Sequence, residues 1–453
     1  MVRLFLPFAF PFFPFRPRLL RQVANLLGGS FFRPAVALGQ IGLWLRPIGC
    51  SVIKLVHSAD GSTCSAHPPI HDAPPFIRLP IHNFISSALL TLPAGTIAIL
   101  CARSTMAHHP PPPVDPHYTR SLPKIELHAH LTGSITRQCL HQIWNTKKSR
   151  DPAYALLDPL VAMLPEYDIN TFFPLFSTYT YKLCNDLYSI EYSTKAVLQD
   201  FQQDGVVYLE LRTTPRAVPE AAITKSDYVK SILTILQNHN TSPENTMRAY
   251  LTLSVDRRNS PAEAEEVVDL ALQFQSAGVV GLDLCGDCAK GDARTFSKAF
   301  ARAKAAGLKV TLHFAEVEAS ATDLELETLL SFQPDRLGHV IQVKDIFKEQ
   351  IEKNGIGIEL CLSCNVQAKM IKGSYPDHHF GTWRHSSVPL ALSTDDVGVF
   401  GSPLSQEYFL AATHFGLDRG QLKALAERPI PCIFGGEDEQ ARLRNLFSQF
   451  SHV

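Results

Sequence analysis

Acidic residues are almost missing from the first quarter of this 453-residue chain. Residues 1–59 contain none, only Asp60, Asp72 and Asp115 occur through residue 118, and the first glutamate is Glu126. The same stretch holds nine of the 42 basic residues and 17 of the 32 prolines. The near-neutral total of 42 Lys and Arg against 43 Asp and Glu therefore averages two unlike parts. Residues 119–453 carry 33 basic and 40 acidic side chains, the balance of an ordinary acidic enzyme, with no basic excess for nucleic acid. Ten cysteines are too sparse for a disulfide scaffold. Most sit in or near apolar segments, as buried thiols in a reducing compartment do. No G-x-G-x-x-G and no G-x-x-x-x-G-K-[ST] follows a predicted strand, which removes dinucleotide and P-loop chemistry.

The N-terminal segment combines Arg3, Arg16, Arg18, Arg21, Arg33, Arg46 and Lys54 with many Phe and Leu, a composition like that of a transit peptide. Prolines at 7, 11, 14 and 17 would break the amphipathic helix such a peptide forms. Residues Phe84 to Ala102 are long enough to cross a bilayer, but Pro93, Gly95 and several hydroxyls make them a poor span. The expectation is a low-acidic, proline-rich extension over 1–118 that is disordered or a gene-model artefact, with 1–105 an over-extended reading frame and Met106 the real start; mitochondrial targeting and a signal or anchor stay as alternatives. An enzyme domain is expected over 119–453.

From Lys124 onward, short apolar or β-branched runs alternate with helical-length segments. The runs are KIELHAH (124–130), VVYLELR (206–212), MRAYLTLSVDR (247–257), VVGLDLCG (279–286), LKVTLHFAE (308–316), RLGHV (336–340), GIGIELCLS (355–363) and PLALSTDD (389–396). Stretches such as 261–278 and 293–307 show 3.6-residue patterning and end in a glycine suited to a helix C-terminus. Eight such strands with intervening helices predict a parallel (β/α)8 barrel, with several helices in the long connection 131–205.

A barrel of this kind works at the C-terminal ends of its strands. Here those ends hold His128 and His130, His313 and Glu316, His339, and Asp395 and Asp396. Residues two apart on a strand point the same way, so both first-strand imidazoles can reach one metal. Three histidines and an aspartate form a nitrogen and oxygen set suited to Zn²⁺ with a position open for water. The pairs Cys285/Cys288 and Cys361/Cys364 lie too far apart in sequence for the usual four-cysteine zinc spacing.

The motifs LPKIELHAHLTGS (122–134), VVGLDLCGD (279–287), HFAE (313–316), RLGH (336–339) and STDD (393–396) resemble the adenosine deaminase family, a zinc-dependent branch of the amidohydrolase barrels, over residues 120–450. Segments 206–216 and 378–408 are similar to its adenosine deaminase-like branch, whose members act on N6-methyl-AMP. The resemblance implies one Zn²⁺ per chain on His128, His130, His313 and Asp395, and attack on purine C6 by zinc-activated water. It implies that Glu316 gives a proton to ring N1, which calls for a raised pKa, and that His339 orients the attacking oxygen. Asp396 would bond N7 and the Gly286 N–H would bond N3, with His130 also beside the substrate. Most adenosine deaminases carry aspartate where this chain has Thr132. A carboxylate would repel a 5′-phosphate, so Thr132 and Ser134, with Lys182 and Arg216, are expected phosphate donors. Phe172, Phe173 and Phe176 are expected in the core, or else as a lid.

The implied function is hydrolysis of N6-methyl-AMP to IMP and methylamine. Adenosine deamination is the alternative, and a secreted deaminase-like growth factor the non-enzyme one. A cytoplasmic monomer is expected, acting on a small purine nucleotide, with no nucleic acid and no stable membrane association. There is no H-x-E paired with P-C-x-x-C, so cytidine-deaminase-type zinc chemistry is excluded. The chain departs from the family pattern at Cys285, Cys288 and Cys364, thiols expected to be oxidisable near the mouth. It departs further at ERPIPCIFGGE (427–437), where Pro429 and Pro431 should break a helix and loosen the C-terminal packing.

Overall fold

The computed structural model describes residues 113–451, together with two strands further upstream. Most of the N-terminal extension, with its targeting alternatives and Met106, lies outside the described residues. The chain divides into two units, 1–104 and 105–453. In the first, Ser87–Thr91 pairs antiparallel with Ile97–Cys101, so the apolar stretch proposed as a poor membrane span contains a β-hairpin rather than a helix. Among the described residues no helix is long and apolar enough to cross a membrane.

The second unit is an eight-stranded parallel barrel. Its strands are β1 (Lys124–His130), β2 (Val206–Thr213), β3 (Arg248–Asp256), β4 (Val279–Cys285), β5 (Lys309–Phe314), β6 (Arg336–His339), β7 (Gly357–Leu360) and β8 (Leu390–Leu392). They pair in sequence order. Between β8 and β1 the link is a bridge of Ala129 with Asp395, in which Asp395 N–H donates to the His128 carbonyl at 2.8 Å and His130 N–H to the Asp395 carbonyl at 3.0 Å. The last two strands are shorter than their apolar runs, because Cys361 caps a short helix, Leu362–Gln367, and Ser393–Asp396 turn over the barrel end.

Period-two patterning explains the filling. In β1, Ile125, Leu127 and Ala129 pack outward while Glu126 and His128 face inward, and all are buried. The other strands repeat this, with Glu210 and Arg212, Ser254, Asp283, Thr311 and His313, Arg336 and Glu359 all buried. A polar interior replaces the aliphatic layers common in such barrels, and it survives because its charges pair. Arg212 meets Asp283 and Glu359, while Arg336 meets Glu359 and Glu210. Outside, the helix Pro261–Gln273 starts on a capping box in which Ser260 and Glu263 exchange bonds, and its segment ends at Gly278 with φ 114°.

The proline-bearing segment does break the helix, between Arg419–Glu427 and Glu437–Gln449. It does not loosen the packing. The Cys432 carbonyl accepts from Arg336 at 2.8 Å, Phe434 N–H donates to Glu210 at 2.6 Å, and the Arg336 guanidinium lies 3.4 Å from the Phe434 ring centroid. A Cβ on Gly281 would stand 2.7 Å from Phe434, so β4 must be bare there for the segment to seat.

Candidate metal and active site

The C-terminal strand ends bring together what the sequence scatters over 268 positions. His128 and His130 from β1, His313 from β5 and Asp395 after β8 offer ligand atoms within 4.8 Å of one another. His313 Nε2 lies 3.2 Å from His128 Nε2 and 3.1 Å from His130 Nε2, and Asp395 Oδ1 lies 3.5 and 3.4 Å from the same two atoms. Ligands about 2.1 Å from a tetrahedral metal stand about 3.4 Å apart, which is this spacing. The next ring of partners sharpens the fit. His128 Nδ1 is 2.7 Å from Glu359 and His313 Nδ1 is 3.2 Å from Asp283. A carboxylate only accepts, so each Nδ1 carries the proton and each Nε2 presents a lone pair. Burial opposes the Glu359 charge, but Arg212 and Arg336 hold its carboxyl well below the usual range. Burial also pushes His130 well down, leaving a neutral ring. Converging lone pairs with no proton between them repel unless a cation joins them, and this is the chemical argument for a metal here.

Backbone strain is concentrated at the same ends. Ala315, His339, Val340 and Asp395 all have positive φ, from 46° to 65°, in a region unfavourable to residues other than glycine. These turns aim the strand-end side chains over the barrel mouth. Close approach needs glycine at two points: a Cβ on Gly338 would stand 2.5 Å from His128, and one on Gly133 would stand 1.4 Å from Asp396 Oδ1.

Glu316 Oε1 lies 3.1 Å from His339 Nε2, while its Oε2 is buried without a partner. The expected raised pKa is not what the site gives: burial pushes the Glu316 carboxyl up, but the adjacent His339 imidazole overrides it and holds the group down at about 2. Asp396 behaves oppositely, pushed well above the carboxylate range by burial and by neighbouring Asp395. A neutral carboxyl can donate a hydrogen bond, as an acceptor such as a ring nitrogen requires.

One cavity is lined by His130, Thr132, His313, Glu316, His339, Asp395, Asp396 and Gly286. Phe172, Phe173, Phe176 and Phe400 line it too. Phe172 stacks on Phe400 at 5.5 Å and meets Phe176 edge-on, so the aromatic cluster is both packed and part of the cavity wall. These rings lie in and beside the helix Ile169–Leu175, whose Pro174 precedes a π-helical turn, Phe176–Thr180. Ser134 is not brought to this cavity. Its buried hydroxyl lines a separate one with Thr136, Asp200 and Leu404. Lys182 and Arg216 line an adjoining space that shares Tyr181, Thr214, Asp256 and Arg258 with the main cavity. Arg258 is the residue sequence reasoning missed. It follows the end of β3, is chelated by Asp256 at 2.6 and 2.7 Å, and its sequence signal is the second arginine of V-D-R-R (255–258), one residue beyond the quoted run.

Among the described residues no cluster joins the two C-x-x-C pairs, and Cys361 alone of the four stands in a candidate metal-holding group, with His339 and Asp395. Cys364 Sγ instead donates to Asp395 Oδ2 at 2.9 Å. Burial pushes the Cys285 and Cys364 thiols well up, away from the reactive thiolate, so the expected ease of oxidation is not supported.

A parallel barrel with three imidazoles and a carboxylate converging at its mouth defines a metal-dependent hydrolase of the amidohydrolase type. The adenosine deaminase family model matches residues 123–449, and the chain belongs to the adenosine deaminase family. It is 34% identical to N6-methyl-AMP deaminase of Danio rerio over 73% of this chain and 96% of that one. The crystal structure of Arabidopsis ADAL complexed with IMP matches at 34% identity and a TM-score of 0.68, covering 73% of this chain and 98% of that one. A zinc-bound bacterial amidohydrolase, 19% identical, shares the fold with a TM-score of 0.64 over 74% of this chain and 91% of its own.

Proposed function

We propose that this chain hydrolyses N6-methyl-AMP to IMP and methylamine with one zinc ion held by His128, His130, His313 and Asp395. The name of the Danio relative and the IMP bound to the Arabidopsis protein support the substrate. The observation that carries the reading in this molecule is the cavity pair: His130, His313 and Asp395 of the metal quartet stand at the wall of one space, and Lys182, Arg216 and Arg258 line the space adjoining it. A purine beside the quartet would place its 5′-phosphate toward those cations, with the Thr132 hydroxyl as a donor where a carboxylate would repel it.

Bound zinc supplies a Lewis acid and lowers the pKa of a water toward neutrality. The chain's own groups do the rest. Glu316 lines the cavity as a carboxylate and takes a proton from the attacking water to pass it to N1, while His339 orients the attacking oxygen. Asp396 donates to N7 and Gly286 N–H to N3, fixing the ring plane. The aromatic wall of Phe172, Phe173 and Phe176 excludes water. Addition of water across C6–N1 and loss of methylamine restore the purine as IMP. The protein is proposed to be a cytoplasmic monomer; the free cysteines among the described residues, buried but for the half-buried Cys432, support a reducing compartment. Comparing kcat/KM for N6-methyl-AMP, AMP and adenosine on the full chain tests the reading. N6-methyl-AMP should lead, and a preference for adenosine would overturn it.

A further inference from the structure

Behind His339 runs a hydrogen-bond chain that none of the family motifs above contains as a unit. Phe380 N–H donates to His378 Nδ1 at 3.0 Å; His378 Nε2 lies 3.0 Å from Asn365 Oδ1; Asn365 Nδ2 lies 3.1 Å from His339 Nδ1; and His339 Nε2 faces Glu316 Oε1 at 3.1 Å. His378, Asn365, His339 and Glu316 are all at least 97% buried. The polarity of this chain follows from its far end. A backbone amide can only donate, so His378 Nδ1 must hold a lone pair. Its proton then sits on Nε2 and needs an acceptor, which turns the Asn365 carbonyl toward it. The Asn365 amide group therefore points at His339, whose Nδ1 must in turn be a lone pair. The His339 proton is left on Nε2, aimed at the Glu316 carboxylate.

The neighbouring residue secures the backbone. His379 Nε2 lies 2.6 Å from the His339 carbonyl, and His339 sits at φ 65°, a conformation unfavourable to a side-chain-bearing residue. The His378 and His379 rings stack with centroids 4.1 Å apart. Burial pushes His378 well down and His379 to about 4, so both stay neutral and add no charge to the site.

We propose that His378 and Asn365 are positioning residues that impose the Nε2–H tautomer on His339, with the Phe380 backbone amide as the origin of that polarity. This rests on the reading of His339 as the residue that orients the attacking oxygen. With the proton on Nε2, His339 enters the reaction as a donor and not as a base. With it on Nδ1, a lone pair would confront the Glu316 carboxylate and the pair would lose its bond.

The test uses full-chain zinc-loaded protein with ¹⁵N-labelled histidine, the His339 signals being assigned by their loss in His339→Gln. In the unsubstituted protein the couplings should report Nε2–H. His378→Leu removes the donor, lets the Asn365 amide turn over, and should shift His339 to Nδ1–H. Asn365→Asp presents only acceptors and should do so more fully. Both should lower kcat about 10²-fold with KM little changed and zinc content unaltered. His378→Gln, which keeps a donor near the Nε2 position, should restore the tautomer and much of kcat. Retention of the Nε2–H tautomer in both His378→Leu and Asn365→Asp would overturn the proposal, as would the Nδ1–H tautomer in unsubstituted protein. The NMR readout needs no substrate, so a failure of the N6-methyl-AMP assignment would show separately, in the kcat/KM comparison.

Discussion

Below the metal site, Glu359 accepts from His128, Arg212, Thr311 and Arg336, and Glu210 accepts from Tyr208, Arg336 and the Phe434 amide. Every carboxylate oxygen there is used. At the mouth, Glu316 spends one oxygen on His339 and leaves the other bare, although it too is buried. The backbone follows the same division, since the positive φ values of Ala315, His339, Val340 and Asp395 gather at the mouth. One end of the barrel has the carboxylates Glu359 and Glu210 satisfied by its own chain. The other is left short of a cation and of hydrogen-bond partners, and that shortage is what a metal and a purine can fill.

The largest effect should come from the open end. Glu316→Gln should cost about 10²–10⁴-fold in turnover while elemental analysis finds the metal retained; substantial activity would remove Glu316 from proton transfer. Asp395→Ala should lose the metal itself, and a loaded Asp395→Ala protein would dissolve the quartet. At the closed end, Arg336→Met leaves Glu359 and Glu210 buried and short of a cation, and should cost about 3–5 kcal/mol of unfolding free energy in denaturant. A loss below about 1 kcal/mol would mean that the interior network is not what holds the barrel bottom.

A smaller, pH-dependent effect asks whether the charge of the partners makes the difference. Glu407 is as buried as Glu359 but accepts from Ser363 and Ser402, which are neutral. Burial pushes it up to about 7 from an ordinary 4.5. The folded state then holds a proton that the unfolded chain has released, so this group's contribution to stability falls as pH rises from about 4.5 to about 7. Glu407→Gln should flatten that part of the stability profile; an unchanged slope would assign it to other groups.

Much of this architecture was legible in the sequence. The eight runs became eight strands because alternating β-branched and polar residues have no comfortable helical placement, and the histidines two apart in β1 point the same way by pleat geometry alone. The misreadings share a cause. Ser134 stands two residues from Thr132, yet the loop after β1 turns it into another cavity. Glu316 was expected to be raised because burial was foreseen and the His339 contact was not. The broken C-terminal helix was foreseen, but its use as a seal on the barrel bottom depends on Arg336 and Glu210, 96 and 224 residues away in sequence.

Local chemistry is what the sequence determined alone: the element types, the candidate ligand residues and the family, each of which depends on neighbours a few positions apart. The tertiary structure decided the protonation states. Which nitrogen of His128, His313 and His339 carries its proton, and which carboxyl stays charged, is settled by partners such as Glu359, Asp283 and Asn365 that strand closure alone brings within 3.2 Å. In a buried site hydrogen bonds and nearby charges outweigh intrinsic pKa, and those contacts exist only once the chain has folded.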